Sequence, residues 1–360
     1  MQLDLKALLG NRKPPLIGVD ISTSGVRLVE LSKSDKGAMR LECYAFEPIP
    51  RGAIVDGNVE NLDQVAEALR LAWRKSGTSV RNVALAMPSA AVITRKVVLP
   101  DNLSDEDMML QVESEAHQYI PFGIDEVNLD YDVIGSSATS QGDLDVMMAA
   151  ARKEKVEERV AVAEAAGLKP LVMDIESYAA YAAINRIDGP DSGAKPGQIV
   201  ALFRIGSVNM SMSVLIDGES VYEREQPFGG NQLTQEIART YSMPFEEAEN
   251  KKRSNSLPED YRKKVLQPFM ENIAQEVTRA IQFFFTSSPY TRVDTIYLGG
   301  GCANISGLSD LIASRTRVKT AVAGTFAGIG LAPRVREKQL HSEEPAYLVA
   351  CGLAMRRFDE

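Results

Sequence analysis

Two segments far apart in this chain repeat one pattern. Gly18-Val19-Asp20-Ile21-Ser22-Thr23-Ser24-Gly25-Val26 and Leu202-Phe203-Arg204-Ile205-Gly206-Ser207-Val208-Asn209-Met210 each run from an apolar stretch through a small polar turn into a second apolar stretch. Each reads as strand, tight turn, strand. A repeated hairpin of this kind points to two similar halves around a cleft, although two β-hairpins of similar sequence also arise by chance. At 360 residues the chain exceeds what one core ordinarily supports, in keeping with two or more packed units.

Composition narrows the function classes. With 40 Lys and Arg against 49 Asp and Glu, the net charge is -9, so no overall basic field holds a nucleic-acid backbone. Cys43, Cys302 and Cys351 fit no metal-ligand spacing and read as small buried hydrophobes of a reducing compartment. His117 and His341 are the only histidines, too few for most zinc sites, and the lack of a GxSxG elbow argues against a Ser-His-Asp hydrolase; both read as surface or capping residues. No apolar run approaches the roughly 18 residues of a membrane span, and the opening MQLDLKALLGNRKPP lacks a signal-peptide core. The chain is therefore expected neither to cross a membrane nor to be exported.

Along the chain, Leu62, Val65, Leu69 and Trp73 predict a helix over Val59 to Lys75 that Gly77 ends. From Val83, strand-like VALAMP and AVITRKVVLP precede a helix with Ser104 as N-cap, Asp107 completing a capping box, and Met108, Val112, Ala116 and Tyr119 on its apolar face. Strands over Val127 to Ile134 and Leu144 to Ala150 and a helix over Lys153 to Ala166 follow, so Val83 to Leu168 reads as an inserted α+β unit. A helix over Glu176 to Ile187 leads into DGPDSGAKPGQ, a linker by composition. Beyond it lie strands Ile199 to Ile205 and Asn209 to Ile216 with an Asp217-Gly218 turn, then helices over Gln232 to Tyr241, Pro244 to Arg253 and Pro268 to Ser287. Phe283-Phe284-Phe285 in the last of these reads as core.

Two places carry chemistry. The Ser22 to Gly25 turn presents successive backbone N–H groups of the kind that cradle phosphate oxygens; Asp20 is placed to hold magnesium through water, and Arg27 to neutralise phosphate charge. Taken alone, the same residues make an ordinary hairpin. The second place is Leu298-Gly299-Gly300-Gly301-Cys302, a strand ending in three glycines before a helix from about Ser306, where backbone can approach a flat ligand or a phosphate. A tight strand-to-helix turn is the other reading.

In order, IGVDISTSGVRLVEL, MDIESYAAYAAI, ALFRIGSVNMSMSVL, IYLGGGCANISGL and AYLVACGLAMR resemble the phosphate-1, connect-1, phosphate-2, adenosine and connect-2 motifs of the actin, sugar-kinase and Hsp70 superfamily. Within its FtsA-like branch, GAIVDGNVENLDQVAEAL, EAHQYIPF, REQPFGGNQLTQEIAR, AIQFFF and the closing ACGLAMRRFD resemble the PilM family of type IV pilus assembly proteins over essentially the whole chain. The resemblance implies an α/β, actin-like (ribonuclease H-like, duplicated) bilobed fold with an FtsA-type inserted subdomain. It implies a first lobe of 14–82 completed by 169–192 and 335–360, an inserted subdomain of 83–168, a second lobe of 197–231 completed by 291–334, and a further subdomain of 232–290.

The resemblance also implies ATP or ADP with Mg²⁺ in the cleft. Asp20 falls where the family keeps its magnesium-coordinating acid, Ser22, Thr23, Ser24 and Gly25 where it grips phosphates, and Arg27 where a basic residue meets them. Arg204, Gly206 and Ser207 form the second phosphate segment, Gly229, Gly230 and Thr234 flank the nucleotide, Glu249 and Lys252 approach ribose and adenine, and Gly299, Gly300 and Gly301 make the adenosine loop. For Glu249 and Lys252 a solvated helical face is the alternative. Glu176 falls where relatives orient the attacking water. One departure stands out: Arg204 replaces the family's Asp. A guanidinium there donates to phosphate oxygens and supplies charge that magnesium otherwise brings, so binding is expected with ATPase activity weak or absent; otherwise Arg204 points away from an empty pocket.

Further, the resemblance implies a cytoplasmic adaptor, peripheral to the inner membrane through its partners. It would bind the cytoplasmic N-terminal peptide of PilN in a groove between the first lobe and the inserted subdomain. Asp105, Glu106, Glu113 and Glu115 are expected to face a basic peptide or simply solvent. Other cytoplasmic components of the pilus machine and self-association are further expectations, and nucleic acid is not. The alternative is an ATP-hydrolysing, FtsA-like filament or membrane-associated scaffold; relatives of that kind close on an amphipathic helix, which Arg356-Arg357-Phe358-Asp359-Glu360 does not resemble.

Overall fold

Each of the echoed segments folds as a hairpin and founds a sheet. In the computed structural model, which describes residues 14–34, 36–137, 139–189 and 192–359, Ile17–Ser22 pairs antiparallel with Gly25–Lys33, and Ile199–Ile205 pairs antiparallel with Met210–Ile216. The opening segment read for an export signal, Pro190 and Asp191 of the linker, and Glu360 lie outside the described residues. A third strand returns antiparallel in each sheet, Met39–Pro48 in one and Glu219–Gln226 in the other. Two more strands add in parallel on the opposite side: Asn82–Met87 and Lys169–Ile175 in the first, Thr295–Gly299 and Lys319–Val322 in the second. Both sheets thus follow one strand order, which is the duplicated, two-lobed actin-like plan. In it Asp20 and Arg204 are equivalent, the one opposite Arg27 and the other opposite Ser211.

Helix Leu62–Ser76 starts where the Asn61 side chain accepts from the Gln64 N–H and ends where Gly77 turns left-handed. Its Val65, Leu69 and Ala72 pack on Ile17, Val19 and Leu28 of the first sheet. On the other face lie helices Glu176–Asp188 and Leu348–Met355. They pack so closely that a Cβ on Gly352 would stand 1.7 Å from the Ala179 carbonyl. Ala180, Ile184, Leu348 and Leu353 share one core with Leu16, with Ala84 of the first sheet and with Val200, Leu202 and Leu215 of the second. That shared core joins the lobes.

The inserted unit is a three-stranded antiparallel sheet of Val92–Pro100, Val127–Ser136 and Asp143–Arg152, covered by helix Asp105–Tyr119. The Ser104 hydroxyl accepts from the Asp107 N–H at 3.2 Å and donates to the Asp107 carboxylate at 2.7 Å. This unit is narrower than the expected 83–168. Asn82–Met87 lies between two parallel neighbours of the first sheet, and helix Lys153–Ala165 sets Val162 and Ala163 into the core with Val65 and Leu69. A strand paired in parallel on both sides needs both faces covered, and that helix supplies part of the cover. Two further boundaries move. Gly330–Leu331 pairs with Arg40 and Leu41, so the chain rejoins the first sheet before residue 335. Residues 232–290 have no core of their own, since Leu233, Ile237, Phe269 and Ile273 pack with Phe203, Met212 and Ile296 of the second sheet.

Of the phenylalanine run, Phe284 is fully buried, whereas Phe283 is 48% exposed with the Arg224 guanidinium over its ring. His117 and His341 are exposed, Cys43 and Cys351 buried, and Cys302 half-buried. Among the described residues no helix is long and apolar enough to cross a membrane.

Candidate functional site

The two small polar turns meet across the cleft. In the first, the Ser22 hydroxyl donates to the Gly25 carbonyl at 3.0 Å, lies 3.2 Å from the Ser24 hydroxyl and accepts from Arg27 Nη1 at 3.3 Å. Thr23 Oγ1 lies 2.6 Å from Ser207 Oγ in the second turn. There the Gly206 and Ser207 carbonyls accept from the N–H groups of Gly230 and Asn231, at 2.9 and 2.8 Å, which docks the start of helix Gly230–Thr240 on the turn through Gly229. The glycine run closes the third side. Gly299 pairs opposite Arg204, and Gly300, at φ +84°, passes so near that a Cβ would stand 2.5 Å from the Ile205 carbonyl. Gly301 faces open space.

At the centre is a cluster of charges. Asp20 is 9% exposed, and Arg27 Nη1 lies 3.9 Å from its Oδ2. Burial pushes its carboxyl up to about 6, against the pull of Arg27, Arg204 and Arg159 and with the push of Glu176. Arg204 does point into the site: its Nη1 donates to Glu176 Oε1 at 2.5 Å, an ion pair between the lobes. Its Nε is buried without a partner among the described residues. Glu176, the candidate for orienting water, is thus held by a guanidinium. Arg159 is a further residue of this cluster, one that no sequence motif marks. Only 3% exposed, it donates to the Ile21 carbonyl at 2.9 Å and to the Gly57 carbonyl at 2.8 Å. Its trace in the sequence is an Arg on the apolar stripe formed by Val162, Ala163 and Ala166.

Thr234, Glu249 and Lys252 also come together. Thr234 Oγ1 donates to Glu249 Oε2 at 2.6 Å and accepts from Lys252 Nζ at 2.7 Å, while Arg253 Nε holds Glu249 Oε1 at 2.7 Å. Although burial works the other way, Lys252 and these hydrogen bonds hold the Glu249 carboxyl at about 2. The solvated-face alternative fails for this pair. Both ends of the same helix, Phe245–Arg253, also reach the first lobe: the Arg51 guanidinium lies 4.4 Å from the Phe245 ring centroid, and Arg253 shares the Phe46 ring with Arg27 at 5.4 and 4.8 Å. No local sequence pattern marks Arg51, Phe46, Phe245 or Arg253.

These residues suit an anion. The Arg27 guanidinium and the Thr23 and Ser207 hydroxyls are gathered at one place, and the glycine loop lets a ligand approach backbone at Gly301. They do not suit magnesium. A magnesium site needs oxygen ligands, commonly one or two carboxylates beside phosphate. Here Asp20 is hemmed by guanidinium groups and Glu176 is neutralised by Arg204, so neither carboxylate is left to a cation.

A second concavity lies between the first lobe and the inserted sheet. It has a volume of about 430 Å³ and an apolar lining that includes Met87, Pro88, Ile93, Ile120, Pro121 and Phe122. Arg152, Lys155 and Arg159 border it together with Asp56 and Glu158, whereas Asp105, Glu106, Glu113 and Glu115 do not line it. The acidic helix face therefore points elsewhere than the groove.

The sequence profile described as "Type IV pilus assembly protein PilM" matches residues 18–358. A chain of the solved PilM-PilN type IV pilus biogenesis complex is 26% identical, with a TM-score of 0.80 and coverage of 97% of this chain and 100% of that one. Two more distant structures share the fold. Ethanolamine utilization protein EutJ from Carboxydothermus hydrogenoformans is 18% identical (TM-score 0.56, covering 95% and 89%), and diol dehydratase-reactivating factor is 10% identical (TM-score 0.51, covering 96% and 100%).

Proposed function

This chain belongs to the PilM family of type IV pilus assembly proteins, and from that premise we propose that it is a cytoplasmic adaptor that seats the N-terminal peptide of PilN in the cavity between the first lobe and the inserted sheet. The observation that carries this reading is the cavity itself, about 430 Å³ of largely apolar wall between two separately cored units. The match to a chain of the PilM-PilN complex supports the choice of partner. An extended peptide gains there from apolar anchors, each worth about 1.5–3 kcal/mol when fully buried. Because positive and negative groups both border the cavity, binding depends only weakly on salt. Attachment to the inner membrane then comes through the partner.

In the cleft, ATP or ADP serves as a structural ligand, its phosphates against the two turns and its base beside Lys252 and the Gly299 to Gly301 loop. Turnover is negligible, because the Arg204 guanidinium occupies the carboxylate that would orient water.

The peptide reading is tested by fluorescence anisotropy with a labelled PilN N-terminal peptide. Phe122 is 37% exposed, so Phe122→Asp leaves the core intact. It is expected to weaken binding by about tenfold or more, the loss of one anchor, with an unchanged melting temperature. Equal binding by wild type and variant contradicts the reading.

A further inference from the structure

Charges at the cleft form a pattern that the duplicated fold makes legible. Asp20 and Arg204 occupy equivalent places in the two sheets, so one lobe presents a carboxylate to the cleft and the other a guanidinium. Were both acids, they would form a pair able to share a cation with phosphate oxygens. Instead Arg204, with a side chain 10% exposed, crosses to Glu176 of the other lobe at 2.5 Å, and Arg27 stands 3.9 Å from Asp20. Arg159 adds a third guanidinium, bonded to the carbonyl of Ile21 next to Asp20. Three fixed cations therefore surround two carboxylates. A divalent cation entering this place meets repulsion from groups that cannot deprotonate. Among the described residues the buried Nε of Arg204 has no acceptor, so this guanidinium is held in the site through its Glu176 ion pair.

We infer that this chain takes its nucleotide as the free polyphosphate anion, without a divalent cation, and that the Arg204–Glu176 ion pair bridges the lobes where a metal would otherwise do so. The inference rests on the nucleotide reading of the cleft and goes beyond it by fixing the form of the ligand. Lobe closure is then a property of the protein, and magnesium, which draws ATP into its own complex, competes with the site for ligand.

Calorimetric titration of the full chain with ATP, once in excess EDTA and once in excess magnesium chloride, tests this. Affinity in EDTA is expected to equal or exceed that in magnesium; a loss of about tenfold or more on chelation overturns the inference. Absence of binding in both buffers overturns the nucleotide reading and this inference with it. Arg204→Asp restores a second carboxylate and is expected to bind about tenfold more weakly in EDTA than in magnesium. Arg204→Lys keeps a cation in place and should remain independent of metal. Independence in the Asp variant, or metal dependence in the Lys variant, shows that Arg204 is not what excludes the cation.

Discussion

Replacing Asp20 by Asn should stabilise the protein in the absence of ligand. Asp20 is 9% exposed, and its carboxyl moves from an ordinary 3.8 to about 6, chiefly through burial. A carboxyl with a raised folded value holds its proton more tightly when folded. Its contribution is therefore most favourable below 3.8 and is lost as pH rises through 6. At pH 7 the ionised group costs about 3 kcal/mol, at about 1.4 kcal/mol for each tenfold change in proton affinity. Asn mimics the neutral acid in shape and avoids that cost. The gain should fall to roughly half of that at pH 5 and to well under 1 kcal/mol near pH 4. Urea unfolding of both proteins at the three pH values reads this directly. A variant less stable than wild type at pH 7, or a gain that ignores pH, refutes the reasoning and shows that the three guanidinium groups outweigh burial. Such a site gives up stability for ligand binding, so the same variant should bind ATP differently from wild type.

Glu249 gives the opposite sign. Its carboxyl is held at about 2 against an ordinary 4.5, so its contribution is present above 4.5 and lost as pH falls toward 2. Glu249→Gln should cost about 2 kcal/mol at neutral pH, after allowance for a side chain 19% exposed, with the difference shrinking in urea melts at pH 3. Phe46→Ala removes the ring that Arg27 and Arg253 share between the lobes. Hydrogen exchange over Phe245–Arg253 should then speed up, by roughly fivefold for each 1 kcal/mol of lost contact. Phosphate release from ATP by the wild-type protein should stay at the buffer background and be unmoved by Glu176→Gln; a magnesium-dependent rate that this variant abolishes contradicts the role given to Arg204.

How much could be read from the sequence follows from how local each signal is. The hairpins at Ser22 to Gly25 and Asp217-Gly218 and the Ser104 cap depend on neighbours within a few residues, and they fold as their turn and cap chemistry dictates. Asn82–Met87 reads as a buried strand in either unit, and only its pairing with Ile17–Ser22 and Lys169–Ile175 assigns it to the first lobe. Gly330–Leu331 is too short to carry a period at all. Arg204 and Glu176 each stood out separately, but their pairing needed the lobes brought together. The contacts of Arg51 with Phe245 and of Phe46 with Arg253 join residues remote in sequence, where no periodicity reaches.

Hydrogen–deuterium exchange of the full chain, with and without the PilN N-terminal peptide, tests the docking site most directly. The account predicts slowed exchange at Met87 to Ile93, Ile120 to Val127 and Ala150 to Arg152, the segments that line the cavity. Protection confined to the outer face of helix Asp105–Tyr119, or to the second lobe, with these segments unchanged, contradicts it.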